Sequence, residues 1–289
     1  MFPKLFQLGP VTLHTYGFFV ALGFISAIYI SCWLRRREGQ PDADVSGVAL
    51  WMVAAGIFFG RVAYVMEHWT AEFAAAPFPA VLRVDRGGLM FFGGFLGAVG
   101  AMALYARFRR TPFTVLSDVY SVTLPLGHAL GRLGCFFYGC CHGKITSSWA
   151  GVRFPVDSPA WSLHSQMLCE CPGEIPEAFR AAAAQQLERA SLPVLPVQFI
   201  EAAANFAIFT ALFFVYKRPG RVNGVVTGLY LMLYGVFRFL IELLRGDDRM
   251  DTFLGLSIGQ TIALGVFLSG ALSMAWALAR KNLNRATNG

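Results

Sequence analysis

The sequence predicts an all-α polytopic membrane protein of seven transmembrane helices, and three observations carry that prediction. Of its 289 residues, 56% are hydrophobic and 14% charged, with a mean hydropathy of +0.53. The apolar residues gather in blocks of about twenty, the length an α-helix needs to cross a bilayer core at about 1.5 Å per residue. The basic residues fall in short clusters at every second connection between blocks. A formal charge of +7 could serve a nucleic acid, but charge parcelled out between apolar blocks is a mark of membrane topology. No nucleic-acid partner is expected.

Taken in order, the expected spans are about 16–34, 48–65, 88–105, 115–130, 199–216, 222–244 and 256–278. The first is followed by Arg35, Arg36 and Arg37, the third by Arg107, Arg109 and Arg110, the fifth by Lys217, Arg218 and Arg221, and the seventh by Arg280, Lys281 and Arg285. All four clusters then lie on one side. The positive-inside bias makes that side cytoplasmic, which puts the N-terminus outside and the C-terminus in the cytoplasm. Residues 1–10 hold a single lysine, Lys4, with no small-residue cleavage site ahead of the first apolar block, so that helix is expected to be retained. Residues 1–289 read as one integral membrane domain, with the loops 67–87, 143–195 and 245–253 outside.

The second of these loops, 143–195, is long enough for a small external subdomain between helices four and five. It carries Trp149, Trp161, Pro155, Pro159 and Pro172, and then an alanine-rich acidic stretch, 177–189, that favours helix.

Ionisable residues inside apolar spans are expensive and tend to face a bundle interior or a wet cavity. Tyr234, Arg238, Glu242 and Arg245 are spaced i, i+4, i+8 and i+11, which places them within an arc of about 80° on one helix. Arg238 and Glu242 could pair merely to lower their own burial cost while Arg245 snorkels to the surface; a four-residue stripe facing one cavity is the functional alternative. Gln198 and Glu201 open the fifth span and Gly60, Arg61 and Tyr64 lie in the second, and either set could join helices or line that cavity. His128 precedes Arg132 by four residues, so the two share a face if the fourth helix reaches that far. Converging arginines near a membrane surface suit a phosphodiester, because guanidinium pairs bidentately with phosphate oxygens. The glycines of 86–88 and 92–97 fit close helix approach and form no nucleotide loop.

Together these residues resemble the prolipoprotein diacylglyceryl transferases. The resemblance rests on Tyr16-Gly17, Gly60-Arg61 with Tyr64, RGGLMFFGGFLG at 86–97, GRLG at 131–134 with Gly143, PVQFIE at 196–201, YGVFRFLIE at 234–242, and 257–260. It implies a multi-pass enzyme of the bacterial inner membrane that moves the diacylglyceryl group of phosphatidylglycerol to the lipobox cysteine of a prolipoprotein signal peptide, forming a thioether and releasing glycerol phosphate. By position it implies Arg132 and Arg238 as phosphate ligands and Glu242 as their partner or a proton carrier. Tyr16, Arg61, Gln198, Glu201, Tyr234 and Arg245 would line the substrate cavity. No cofactor or metal is implied, since the phospholipid brings its own leaving group.

Three positions depart from the family pattern. Phe92 stands where a histidine is common in the third helix, so the base that takes the thiol proton is open among His14, His128 and Glu242. Cys135 and Cys140 replace the usual asparagine and acidic residue. The expected topology puts Cys135, Cys140, Cys141, Cys169 and Cys171 outside, where disulfides form. Bridges from Cys140 or Cys141 to Cys169 or Cys171 are expected, with a metal site including His142 and His164, or buried free thiols, as the alternatives. Two other functions stay open: a membrane thiol oxidoreductase using the paired cysteines, and a non-catalytic phospholipid-binding or transport paralogue.

Overall fold

The computed structural model describes residues 4–8, 11–40, 43–74, 78–83, 88–245, 252–253 and 255–287. A short hairpin, β1 (Lys4–Leu8) and β2 (Val11–His14), leads into α1 (Thr15–Arg37) and α2 (Ala43–Glu67). Then follow α3 (Phe91–Arg109), α4 (Phe113–Tyr138), three short helices α5 (Pro159–Glu170), α6 (Glu177–Arg180) and α7 (Ala183–Leu187), and the long α8 (Val197–Tyr216) and α9 (Val225–Ile241). A second small hairpin, β3 (Thr252–Phe253) and β4 (Leu256–Ser257), precedes α10 (Ile258–Thr287). The chain forms two compact units, Ile28–Tyr120, and Met1–Ala27 with Ser121–Gly289.

Six of the described helices, α1, α2, α3, α8, α9 and α10, are long and apolar enough to cross a membrane. Their surfaces agree with that. Leu50, Phe91, Phe108 and Leu272 are each more than 70% exposed, while Asp118, Gln198, Glu201 and Asn205 are buried. A water-soluble protein sorts these residue types the other way. The remaining expected span, 115–130, lies within α4, which is 26 residues long and contains Pro125. It is not among the six, since Asp118 and Arg132 dilute its apolar character.

Helix ends depart from the sequence expectation where polar residues continue a helix or glycine stops one. Helix α4 runs eight residues past the expected boundary, so Arg132 and Cys135 are helical. Helix α9 ends earlier than expected, and Glu242–Leu244 form a 3-10 turn. The acidic stretch 177–189 yields two short helices in place of one. The N-terminal hairpin had no counterpart in the sequence reading, because ten residues with a single lysine give too little alternation to mark strands.

Within the unit Ile28–Tyr120, α2 and α3 meet through glycines. A Cβ on Gly93 would lie 2.6 Å from the Phe59 carbonyl oxygen, and one on Gly97 2.8 Å from that of Ala55. The FGGFLG stretch is thus a packing surface, as small residues in a membrane helix tend to be. Arg61 ties down the loop between these helices: its guanidinium donates to the carbonyls of Ala80, Val81 and Gly88 at 2.9, 2.8 and 3.1 Å. At the opposite end Asp44 accepts from Arg109 and Thr111, each at 3.2 Å.

In the other unit, α9 and α10 cross through a reciprocal glycine contact. A Cβ on Gly228 would come within 2.9 Å of the Gly270 carbonyl oxygen, and one on Gly270 within 2.8 Å of the Gly228 oxygen. The segment after α4 has a small core of its own, Phe154, Ala160 and Val194 beside Ile175, Ala183 and Leu192. Helix α5 starts on Ser158, whose hydroxyl accepts from the Trp161 amide, with Pro159 at the first turn, both favoured choices there.

Replacing Gly228 with valine should lower stability by about 1–3 kcal/mol through overpacking. Gly265→Ala in α10, where a Cβ would meet nothing within 4 Å, should leave it unchanged or slightly raised. Thermal unfolding of both variants in detergent, side by side with wild type, checks the pair.

Candidate functional site

The polar residues of the unit Met1–Ala27 with Ser121–Gly289 converge where α4, α8 and α9 end or begin. Helix α4 brings His128 and Arg132 one turn apart, and the Arg132 Nε donates to the His128 Nε2 at 3.3 Å. That contact makes Nε2 an acceptor, so the imidazole carries its proton on Nδ1. Its ring packs on Tyr234 of α9 with centroids 5.7 Å apart, and Tyr234 on Tyr230 at 5.8 Å.

Glu201, on the second turn of α8 and 2% exposed, is the hub. Its Oε2 is ion-paired with the Arg132 guanidinium, and its Oε1 faces the Nη1 of Arg245 at 3.6 Å. Arg245 therefore does not snorkel outward. It follows the 3-10 turn after α9, which swings its side chain inward, and it is buried. Next to this triad Arg238 Nη1 lies 2.6 Å from Glu242 Oε2.

Glu242 is held from α10 as well. The Ser257 hydroxyl donates to its Oε1 at 3.3 Å. A Cβ on Gly259 would collide with the carboxylate, so glycine is what lets the helix start approach it. Ser257 and Gln260 form a capping box: the Gln260 amide donates to the Ser257 Oγ at 3.1 Å, and the Ser257 amide to the Gln260 Oε1 at 3.0 Å. The positive end of α10 is thereby turned towards a carboxylate. The sequence reading gave Ser257 and Gly259 no role, although the Ser-x-x-Gln spacing ahead of an apolar run was the available signal.

Gln198, one turn before Glu201, donates from its Nε2 to the Cys140 carbonyl at 2.8 Å. Among the described residues its buried Oε1 accepts no hydrogen bond. Backbone pairing closes the site's edge, with the Gly143 amide donating to the Leu195 carbonyl at 2.9 Å and the Lys144 amide to that of Leu244 at 3.2 Å. Tyr16 opens α1 half-exposed, its ring 6.1 Å from that of Tyr138.

Other expected residues have the following surroundings. His14 ends β2 with an exposed side chain. Arg61 belongs to the other compact unit, where its hydrogen bonds go to loop carbonyls. Phe92 is exposed on α3. All six cysteines are free thiols in this structure, so the expected bridges from Cys140 or Cys141 to Cys169 or Cys171 are not formed. The reason is local. Gly139 and Cys141 adopt left-handed φ of +84° and +57°, which folds Cys140 and Cys141 back on Cys135, while Cys169 and Cys171 stay exposed at the end of α5.

Fold and site together define a multi-pass membrane protein with a buried cluster of arginines and carboxylates. A family model described as prolipoprotein diacylglyceryl transferase matches residues 3–276, and the chain belongs to that family. It is 33% identical over 293 residues to a phosphatidylglycerol--prolipoprotein diacylglyceryl transferase of Burkholderia mallei (strain SAVP1), covering 96% of this chain and 95% of the relative. A protein of the same name from Proteus mirabilis (strain HI4320) is 30% identical over 286 residues, covering 96% and 92%.

Two expectations follow from this geometry. Glu201→Gln keeps the shape and removes the charge that answers two arginines, which should cost about 3–5 kcal/mol as a fall in thermal stability in detergent. His164 is buried and accepts the Leu192 amide at 3.2 Å on Nδ1; burial, and secondarily His142, pull its pKa down to about 4. The unfolded imidazole titrates near 6.5, so between those values only the unfolded chain binds the extra proton. Stability should be full above about pH 6.5 and fall by up to about 3 kcal/mol towards pH 4. Unfolding curves at a series of pH values, repeated on His164→Asn, should show that slope reduced in the variant.

Proposed function

We propose that this protein transfers the diacylglyceryl group of phosphatidylglycerol to the lipobox cysteine of prolipoproteins, the first step of bacterial lipoprotein maturation. What supports this best is the buried cluster of Arg132, Arg238 and Arg245 against Glu201 and Glu242 in a chain matched to the family over 3–276. Three guanidiniums against two carboxylates leave one positive charge, a seat for the headgroup phosphate. Helix α4 is a seventh span, its buried polar face turned to the bundle. The N-terminus lies outside, the C-terminus in the cytoplasm, and 143–195 forms an external subdomain on the inner membrane's outer face.

In the reaction the cysteine thiolate attacks the glyceryl carbon bonded to the phosphate oxygen. The carbon–sulfur bond forms as the carbon–oxygen bond breaks, and the electron pair leaves on glycerol phosphate. Arg132 and Arg238 hold the charge that develops on that phosphate, which matters more in a dry site than in water. Glu242, oriented by Arg238 and Ser257, receives the thiol proton. His128 is less suited through Nε2, which already accepts from Arg132. The unfilled acceptor of Gln198 faces a headgroup hydroxyl, and Tyr16 and Tyr234 line the cavity.

The test is purified protein with phosphatidylglycerol and a lipobox peptide, read as a diacylglyceryl mass increase on the peptide. No product, under conditions where a known transferase gives it, overturns the reading. Arg238→Ala should abolish product while the protein keeps its helicity and its elution position. Substantial residual turnover in that variant would remove Arg238 from the phosphate role.

A further inference from the structure

Three thiols meet at the end of α4, and the proposed transfer uses none of them. The sulfurs of Cys135, Cys140 and Cys141 all lie within 4.8 Å of one another, and each residue is partly buried. The cluster is built by the way the helix stops. The amides of Gly139 and Cys140 both donate to the Cys135 carbonyl, at 2.9 and 3.2 Å, so the turn lies over the last helical turn. Gln198 holds that turn from α8 through the Cys140 carbonyl. The sulfurs are therefore brought together by the fold before any ligand arrives, which is what a binding site needs.

Their spacing suits a metal ion. With a metal–sulfur bond of about 2.3 Å, three sulfurs around one ion stand about 4 Å apart, so only a small contraction is required. The guanidiniums of Arg132 and Arg245 act electrostatically on the Cys141 sulfur. Soft sulfur donors select soft cations. Among the described residues no further histidine, cysteine or acidic group joins the three sulfurs. His142 is turned to the Gly143 carbonyl at 3.0 Å through Nδ1 and packs against His164 and Phe154. A structural zinc site is almost always closed by four protein ligands, whereas cuprous copper accepts three sulfurs in a plane.

We propose that Cys135, Cys140 and Cys141 form a trithiolate site for one soft metal ion, with cuprous copper the best match to three sulfur ligands. Binding replaces the thiol protons with the metal, and the protons leave to solvent. The bound ion would clamp the last turn of α4 to the segment that follows it, three residues after Arg132. This site is independent of the transferase reading, since its occupancy is read without turnover.

The experiment uses full-length protein in detergent, reduced and kept anaerobic, titrated with cuprous ion against a chromogenic cuprous chelator. One copper per chain withheld from the chelator is expected. The same is expected in the Cys169→Ser, Cys171→Ser double variant. Loss of that copper is expected in Cys135→Ser, Cys140→Ser and Cys141→Ser, each checked for an unchanged elution profile. Failure of the reduced wild type to withhold copper overturns the proposal whatever the variants do. So does copper retained undiminished when all three cysteines are serine. A cadmium titration of wild type, read by its thiolate charge-transfer absorbance, supplies a second measure of the same site, and absence of that band counts against it.

Discussion

A carboxylate buried among apolar helices has to be answered by cations, and Glu201 is answered by two, from segments far apart in the chain. Arg132 comes from α4 and Arg245 from the turn after α9. At about 4 Å and an effective dielectric near 20, opposite unit charges attract by about 4 kcal/mol. Removing Glu201 takes away the carboxylate that two buried guanidiniums share, and removing either arginine leaves that carboxylate one cation short, so the three segments depend on one another. The rest of the site inherits its position from that triad: His128 lies one turn from Arg132, Gln198 one turn from Glu201, and Gly143 pairs with the backbone beside Arg245.

Glu242 is secured by a different device. The capping box at Ser257 and Gln260 shapes the first turn of α10, and the missing side chain at Gly259 allows that turn to approach the carboxylate. Helix α10 can sit so close to α9 because Gly228 and Gly270 let the two backbones meet. Small residues deep in the bundle and an ionised group at its edge are thus parts of one arrangement. The glycines set the approach of α9 to α10, across which Ser257 reaches Glu242.

Much of this was legible in the sequence, for physical reasons that also explain what was not. Long apolar blocks announce helices because a membrane tolerates few other structures, and the glycines of α3 pack as their spacing suggested. Arg238 and Glu242 pair as i, i+4 spacing allows. Arg245 joins the cluster as the stripe suggested, although it does so through the 3-10 turn at Glu242 and not as a continuation of the helix. Helix α4 does reach as far as Arg132 and beyond, past the apolar block that marks it in sequence, and the Glu201 that meets the Arg132 charge is a distant partner that spacing does not reveal. The cysteines were read as bridges across a long loop, since spacing in sequence cannot show a helix terminus folding back on itself. Arg61 donates to backbone carbonyls of Ala80, Val81 and Gly88, partners that carry no sequence signal.

The pairing at Gly143 and Leu195 has a consequence for how such a chain changes over generations. The Gly143 amide meets the Leu195 carbonyl and the Leu195 amide meets the Lys144 carbonyl, so the intervening stretch leaves and returns through one narrow neck of main-chain bonds. Main-chain bonds are indifferent to side-chain identity, and a closed loop pays little for added length. Beyond the neck, Phe154 and Ala160 still pack on Phe136 at the end of α4 and the Ala160 amide donates to the Gly139 carbonyl, so it is the exposed parts of the stretch that can change length without moving Arg132, Glu201 or Arg245. Descendants of this protein are free to refit those exposed parts to new surroundings while the charged cluster stays as it was.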